Sequence, residues 1–377
     1  MVSALATRIQ AADAAVTVIS DTSSITQWAT RYFGDWWNAT AVEPTTLCAG
    51  PVVLADVDPG QYAALGRTVT EGKHEETVYA KAPLLVAEDQ HGTIRAFSPP
   101  DQLAYVSEPH TGCLTIFGTD VESVAVAASR LAREVVRGLL LRDGWTLLHA
   151  SAVVIDGNAI LSFGSKGAGK STTAVLLARK SGAGLLANDR IFVRPDGSGR
   201  VQVLPWPSAA ALGLGLLDAL GMYDVVRERL QAGEKLHPTQ DRRVTEALLE
   251  DRREPLWSPN GKELKVQLFP DQFPDWFGMD LAPRGRASLL LFPAIFPDAE
   301  PQLVDEERGL AEHDFMSGET EDRYPDVFRL IRVDGGGRAE DRERVAGLLT
   351  ELPHQNVVLG HDSEAAAEFL AKVTTTA

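Results

Sequence analysis

The stretch that most restricts this chain is Gly164-Ser165-Lys166-Gly167-Ala168-Gly169-Lys170-Ser171. It has the form G-x-x-x-x-G-K-[ST], in the context that form requires. The apolar run Ala159 to Phe163 reads as a strand before it. Ser171 to Ala178 opens a helix after it, with hydroxyls in the first turn. Gly164, Gly167 and Gly169 permit positive φ and carry no Cβ, so backbone N–H groups can converge on phosphate oxygens. The helix start aims its dipole and free N–H groups at the same anion. Lys170 is expected on the β- and γ-phosphates and the Ser171 hydroxyl on Mg²⁺. Gly164, Ser165, Lys166, Gly167, Ala168, Gly169, Lys170, Ser171 and Thr172 form the expected nucleotide-binding set. A ligand-free glycine turn would not require Lys-Ser at that place.

The length of 377 residues suggests two or three domains. A net charge of −16 and a pI near 5.0 argue against a nucleic-acid or anionic-membrane surface, which needs a basic footprint. No apolar run approaches the ~20 residues that span a bilayer. The N-terminus has no signal-sequence pattern. Two cysteines, Cys48 and Cys113, make no disulfide framework and no metal spacing, and they fit free thiols in the cytoplasm.

Residues 1–118 read as a separate N-terminal α/β domain that could recognise substrate. Ala15 to Ile19 is a strand and a helix starts near Ser23. Short strands follow, separated by turn signals such as Asp58-Pro59-Gly60. Trp36-Trp37 reads as packing rather than a peptide groove. Residues 119–141 read as an amphipathic helix, capped by Thr119 or Asp120, that bridges to a second domain at 119–377. In the second domain, Ala152 to Ile155 and Ala159 to Phe163 flank Asp156-Gly157-Asn158, a hairpin signal. The strand entering the glycine loop is therefore expected to pair antiparallel with the strand before it. A second hairpin is expected around residues 195–199. Residues 235–262, charged and rich in breakers, read as a mobile loop.

The segment His149 to Val193 resembles the HPr kinase/phosphorylase family, and more closely its smaller relatives found with peptide-natural-product biosynthesis. His149 lies fifteen residues before Gly164, as the family's hairpin histidine does. Leu186-Ala187-Asn188-Asp189-Arg190-Ile191 falls where the family has Ala-Asp-Asp-Arg-Val. The resemblance implies an α/β fold with the mixed-sheet phosphate-loop core shared with phosphoenolpyruvate carboxykinase. It implies transfer of the γ-phosphoryl of Mg-ATP to a Ser/Thr hydroxyl of a peptide or protein. It places His149, Asp189 and Lys170 in catalysis, with Ser171 and Asp189 on Mg²⁺. In the family the first of the two aspartates is the proposed proton acceptor; here that position is Asn188.

The leading expectation is thus a cytoplasmic ATP-dependent kinase whose acceptor is a peptide, a protein or a small-molecule hydroxyl, with no nucleic-acid or membrane partner and with homo-oligomerisation left open. One of Lys262 and Lys265 could stabilise the transferred group. The main alternative is a nucleotide-gated peptide-binding module without transfer, which Asn188 favours. A transport-type ATPase would need an LSGGQ-like signature and an apolar strand ending in Asp-Glu, and the sequence has neither.

Overall fold

The computed structural model describes residues 5–43, 50–305, 308–316 and 324–375. The chain is mixed α/β and divides into two compact units. One comprises Met1–Trp145 with Met316–Arg338, the other Thr146–Phe315 with Ala339–Ala377. Cys113 is a free thiol, and Cys48 lies outside the described residues. Among the described residues no helix is long and apolar enough to cross a membrane.

The first unit is built on a nine-stranded sheet. Its strands are β1 (Leu5–Ala11), β2 (Ala14–Ser20), β3 (Thr40–Val42), β4 (Val52–Val57), β5 (Glu75–Tyr79), β6 (Ala82–Glu88), β7 (Ile94–Ser98), β8 (Leu103–Glu108) and β9 (Cys113–Gly118). They lie in the order β3-β1-β2-β4-β9-β8-β7-β6-β5. β4 is parallel to both β2 and β9; the β9-to-β5 half is an antiparallel meander. Helices α1 (Ser23–Phe33), α2 (Pro59–Glu71) and α3 (Val121–Arg142) complete the unit. α3 packs mainly on α1, β2, β4 and β9. Asp120 caps it by accepting from the Ser123 N–H at 2.9 Å. Residues 316–338 return to this unit: the Ser107 hydroxyl donates to the Phe328 carbonyl at 2.9 Å. A Cβ on Gly138 of α3 would stand 2.3 Å from the Leu330 carbonyl oxygen, so only glycine lets the segment lie that close. Trp36 and Trp37 are buried, with Trp37 stacked on Phe33 at 5.5 Å, so the pair packs the core.

The second unit holds another nine-stranded mixed sheet. Its strands are β10 (Thr146–Leu148), β11 (Ser151–Ile155), β12 (Asn158–Ser162), β13 (Gly184–Ala187), β14 (Ile191–Pro195), β15 (Val201–Pro205), β20 (Gly285–Ile295), β21 (Gln302–Val304) and β22 (His354–Leu359). Two ribbons supply the numbers between: β16 (Ala210–Leu212) with β19 (Val266–Leu268), and β17 (Leu256–Trp257) with β18 (Glu263–Leu264). β12 is antiparallel to β11 through a turn at Asp156 (φ 50°) and Gly157 (φ 81°), as the Asp-Gly signal predicts. It is parallel to β20, and β20 to β22. The second expected hairpin is β14 with β15. The helices are α4 (Lys170–Ser181), α5 (Leu214–Ala219), α6 (Tyr223–Gln231), α7 (Arg242–Leu249), α8 (Gln272–Phe277), α9 (Ala339–Thr350) and α10 (Ser363–Thr375). α7 and β17 occupy residues read from the sequence as a mobile loop. Val244, Ala247 and Leu248 bury the apolar face of α7, and Asp241 caps it.

Candidate nucleotide site

The glycine loop leaves the C-terminal end of β12 and enters α4. Gly164, Gly167 and Gly169 take φ of 153°, 89° and 106°. Two of them are also sterically required. A Cβ on Gly164 would meet the Ala168 Cβ at 2.7 Å, and one on Gly169 would meet Ile295 of β20 at 2.8 Å. α4 starts at Gly169 with no side-chain cap and no acidic residue in its first turn. Its leading N–H groups are thus left to an outside acceptor. Lys170 folds back over the loop, donating to the Gly164 carbonyl at 2.5 Å and the Ser165 carbonyl at 3.2 Å.

Three other segments meet the loop. The Ser151 hydroxyl, at the start of β11, donates to the Lys170 carbonyl at 2.6 Å. After β13, the Asn188 carbonyl accepts from the Ser171 hydroxyl at 3.0 Å. That contact carries Asp189 to the foot of α4. The Asp189 carboxylate is more than half exposed and lies 3.7 Å from the Arg190 Nε. Asn188 itself is buried, and its Oδ1 has no hydrogen-bond partner.

The third segment is 308–315, which no sequence motif marks. Leu148 bridges Phe315, and the His149 N–H donates to the Asp314 carbonyl at 2.7 Å. Asp314 is a buried carboxylate (1% exposed). Its Oδ2 accepts from the Ala311 N–H at 2.9 Å, and its Oδ1 lies 3.4 Å from Arg308 Nη2. The Arg308 guanidinium stacks over the Phe292 ring at 5.0 Å, and its Nη1 would stand 3.4 Å from a Cβ on Gly164. A second guanidinium is thereby held beside the loop by a buried carboxylate and an aromatic face. Burial holds the Lys170 ammonium below its ordinary value and Arg308 pushes the same way, while Asp189 and Asp314 act against it. All four charged groups therefore share one field.

The structure thus gathers His149, the loop, Lys170, Ser171 and Asp189 at one end of the sheet, with Asn188 alongside. Lys262 and Lys265 lie at the β17–β18 ribbon, where Lys265 is 3.5 Å from Glu263. Sequence reasoning missed Arg308 and Asp314. They lie well over a hundred residues beyond the loop, and the Leu148–Phe315 bridge, the His149–Asp314 backbone bond and the Phe292 ring hold them there.

Among the described residues no three His, Cys, Asp or Glu side chains cluster as a metal cage. The Ser171 hydroxyl, which donates to the Asn188 carbonyl, and the carboxylate of the next residue, Asp189, are hard oxygen donors. Such a set suits Mg²⁺, which keeps several waters and shares itself with phosphates.

No protein-family model matches the chain, and no curated protein does. Among solved structures it is similar to the Hpr(Ser) kinase/phosphatase from Coxiella burnetii, with 11% identity and a TM-score of 0.26, over 61% of this chain and 91% of that one. At that score the likeness carries no argument about activity.

Proposed function

We propose that the chain is an ATP-dependent phosphotransferase with a phosphate-loop core, moving the γ-phosphoryl group to a hydroxyl. The acceptor class is a Ser or Thr of a peptide or protein, or a small-molecule alcohol. The observation that carries this reading is the uncapped start of α4 beneath a loop whose glycines sit in positive φ, with Lys170 and Arg308 beside it. Two cations and a cluster of free N–H groups at one point ask for a polyanion.

The roles follow from position. The loop amides and Lys170 bind the phosphates, Lys170 exchanging two carbonyl acceptors for phosphate oxygens. Ser171 and Asp189 are the residues that would hold Mg²⁺, which supplies charge neutralisation on the phosphates when bound. Arg308, oriented by Asp314, sets positive charge against the negative charge on the oxygens of the transferring group. The acceptor oxygen forms its bond to the γ-phosphorus as the bond to the β,γ-bridging oxygen breaks and ADP leaves. The hydroxyl proton passes to Asp189 or to solvent, with His149 facing the acceptor. Asn188 cannot take that proton. The loose transition state of phosphoryl transfer makes positioning weigh more than base strength.

The test is Mg-ATP turnover by the full chain with Ser/Thr peptide libraries, read by mass spectrometry, and ATP binding by calorimetry. Phosphate on an acceptor from wild type, together with lost ATP binding in Lys170→Ala, supports the reading. If Lys170→Ala binds ATP as wild type does, the loop assignment fails. If ATP binds and no acceptor gains phosphate, the buried, unsatisfied Asn188 favours the second reading, a nucleotide-gated peptide-binding module.

A further inference from the structure

β12, β20 and β22 run parallel, so all three leave the sheet at the same edge. In sheets of this kind ligands sit in the crevice outside the carboxyl ends of the strands. β12 brings the glycine loop to that edge. β20 brings Phe296 and β22 brings Gly360 and His361. Neighbouring strands are ~4.8 Å apart, so β22 lies about 10 Å from β12, with β20 between them. Ile295, the last residue of β20, is what a Cβ on Gly169 would meet at 2.8 Å. Phe296 therefore follows directly on a side chain that packs against the start of α4.

Phe296 is 56% exposed. Among the described residues only Phe296 and Trp257 expose an aromatic ring; every other Phe, Trp and Tyr is buried or half-buried. The backbone beneath Phe296 is nonetheless tightly held. Its N–H donates to the Leu359 carbonyl at 3.0 Å, and its carbonyl accepts from the Ala299 N–H at 3.1 Å. The Pro297 carbonyl accepts from the His361 N–H at 3.1 Å. A Cβ on Gly360 would clash with the Ala299 carbonyl oxygen, so the turn at 296–299 is pressed against the end of β22. A fixed turn thus presents a ring to water beside the loop, and the core makes no use of that ring.

Charge separates the two places. Lys170 and Arg308 stand at the loop, where a polyanion is favoured. Residues 294–300, Ala-Ile-Phe-Pro-Asp-Ala-Glu, carry two acids and no cation. That composition repels phosphate and leaves a neutral, planar group unopposed.

We propose that Phe296 is the platform on which the base of the nucleotide stacks while the glycine loop holds its phosphates. The inference rests on the phosphate-loop reading above and adds to it the residue that distinguishes a nucleoside triphosphate from a bare polyphosphate. Stacking uses the π-face that every base has, so Phe296 supplies affinity for a base without choosing among bases.

The test is calorimetric binding of Mg-ATP and of inorganic tripolyphosphate with Mg²⁺ to the full chain, comparing wild type, Phe296→Ala and Phe296→Tyr. Wild type should bind ATP more tightly than tripolyphosphate. Phe296→Ala should weaken ATP binding by roughly tenfold, the scale of an aromatic–base stack, and leave tripolyphosphate binding unchanged. Phe296→Tyr keeps the ring and should stay within a few-fold of wild type for both. The proposal is overturned if Phe296→Ala binds ATP as wild type does, if it loses ATP and tripolyphosphate equally, if Phe296→Tyr loses as much as Phe296→Ala, or if wild type binds tripolyphosphate as tightly as ATP. In each of these cases the phosphate-loop reading stands. If wild type binds neither ligand, that reading fails and this one with it.

Discussion

The two helices α3 and α4 begin in opposite ways. α3 opens on Asp120, whose carboxylate accepts from the Ser123 N–H, and Glu122 follows in its first turn. Both suit the positive end of a helix dipole. α4 opens on a left-handed glycine with no capping side chain, no acid in its first turn and a lysine as its first residue. A lysine there works against the dipole. A helix required only for stability would be built like α3. α4 is left without what stabilises α3, and the proposed phosphates complete it from outside.

That contrast can be broken experimentally, starting with the largest expected effect. Arg308→Ala should slow single-turnover phosphoryl transfer by about a thousandfold, the lower range for an arginine acting on the transferring group. ATP binding by calorimetry should change much less; a rate within a few-fold of wild type would remove Arg308 from the chemistry. Lys170→Ala should weaken ATP binding by on the order of 100-fold, from the loss of charge-assisted hydrogen bonds. Gly138→Ala, whose Cβ would stand 2.3 Å from a carbonyl oxygen of the returning segment, should cost about 1–3 kcal/mol in urea unfolding and leave ATP affinity alone. Asp120→Ala should cost about 1 kcal/mol of stability whether or not ATP is present. If ATP rescued that loss selectively, the two helix starts would not differ in kind.

The smallest effect is a pH dependence. Hydrogen bonding from Arg95 holds the Asp89 carboxyl at about 2, against an ordinary 3.8. A lowered folded-state value means the unfolded chain binds the proton first. This contribution is therefore present above about pH 4 and disappears as pH falls towards 2. Asp89→Asn should flatten acid unfolding curves slightly in that window, and an unchanged curve would show the Arg95 contact to be without consequence.

Local chemistry was legible in the sequence wherever it dictated local structure. Asp156-Gly157 gave its tight hairpin, and the glycines of the loop took positive φ. The same residue types misled where two local rules compete. Asp58-Pro59-Gly60 reads as a turn, yet Asp58 caps α2 by accepting from the Gln61 N–H at 2.9 Å, and Pro59 sits at the first helical position, where its missing N–H costs nothing. α7 was hidden because it is a single short helix among charged residues and breakers, although Val244, Ala247 and Leu248 fall at helical spacing. In the candidate site, the loop, His149 and Asp189 stood out by spacing. Arg308 and Asp314 did not, because nothing local distinguishes a buried Arg–Asp pair from a surface one.

The return of residues 316–338 to the first unit has a consequence for synthesis. A chain emerging from the ribosome exposes most of the second unit, all but α9, β22 and α10, before Phe328 and Leu330, which complete the first, become available. The N-terminal sheet must wait, with the Gly138 face of α3 open to water, until more than three hundred residues have been made. Nascent chains halted before Met316 should therefore be cut by protease in the region of α3, and those released after Arg338 should resist.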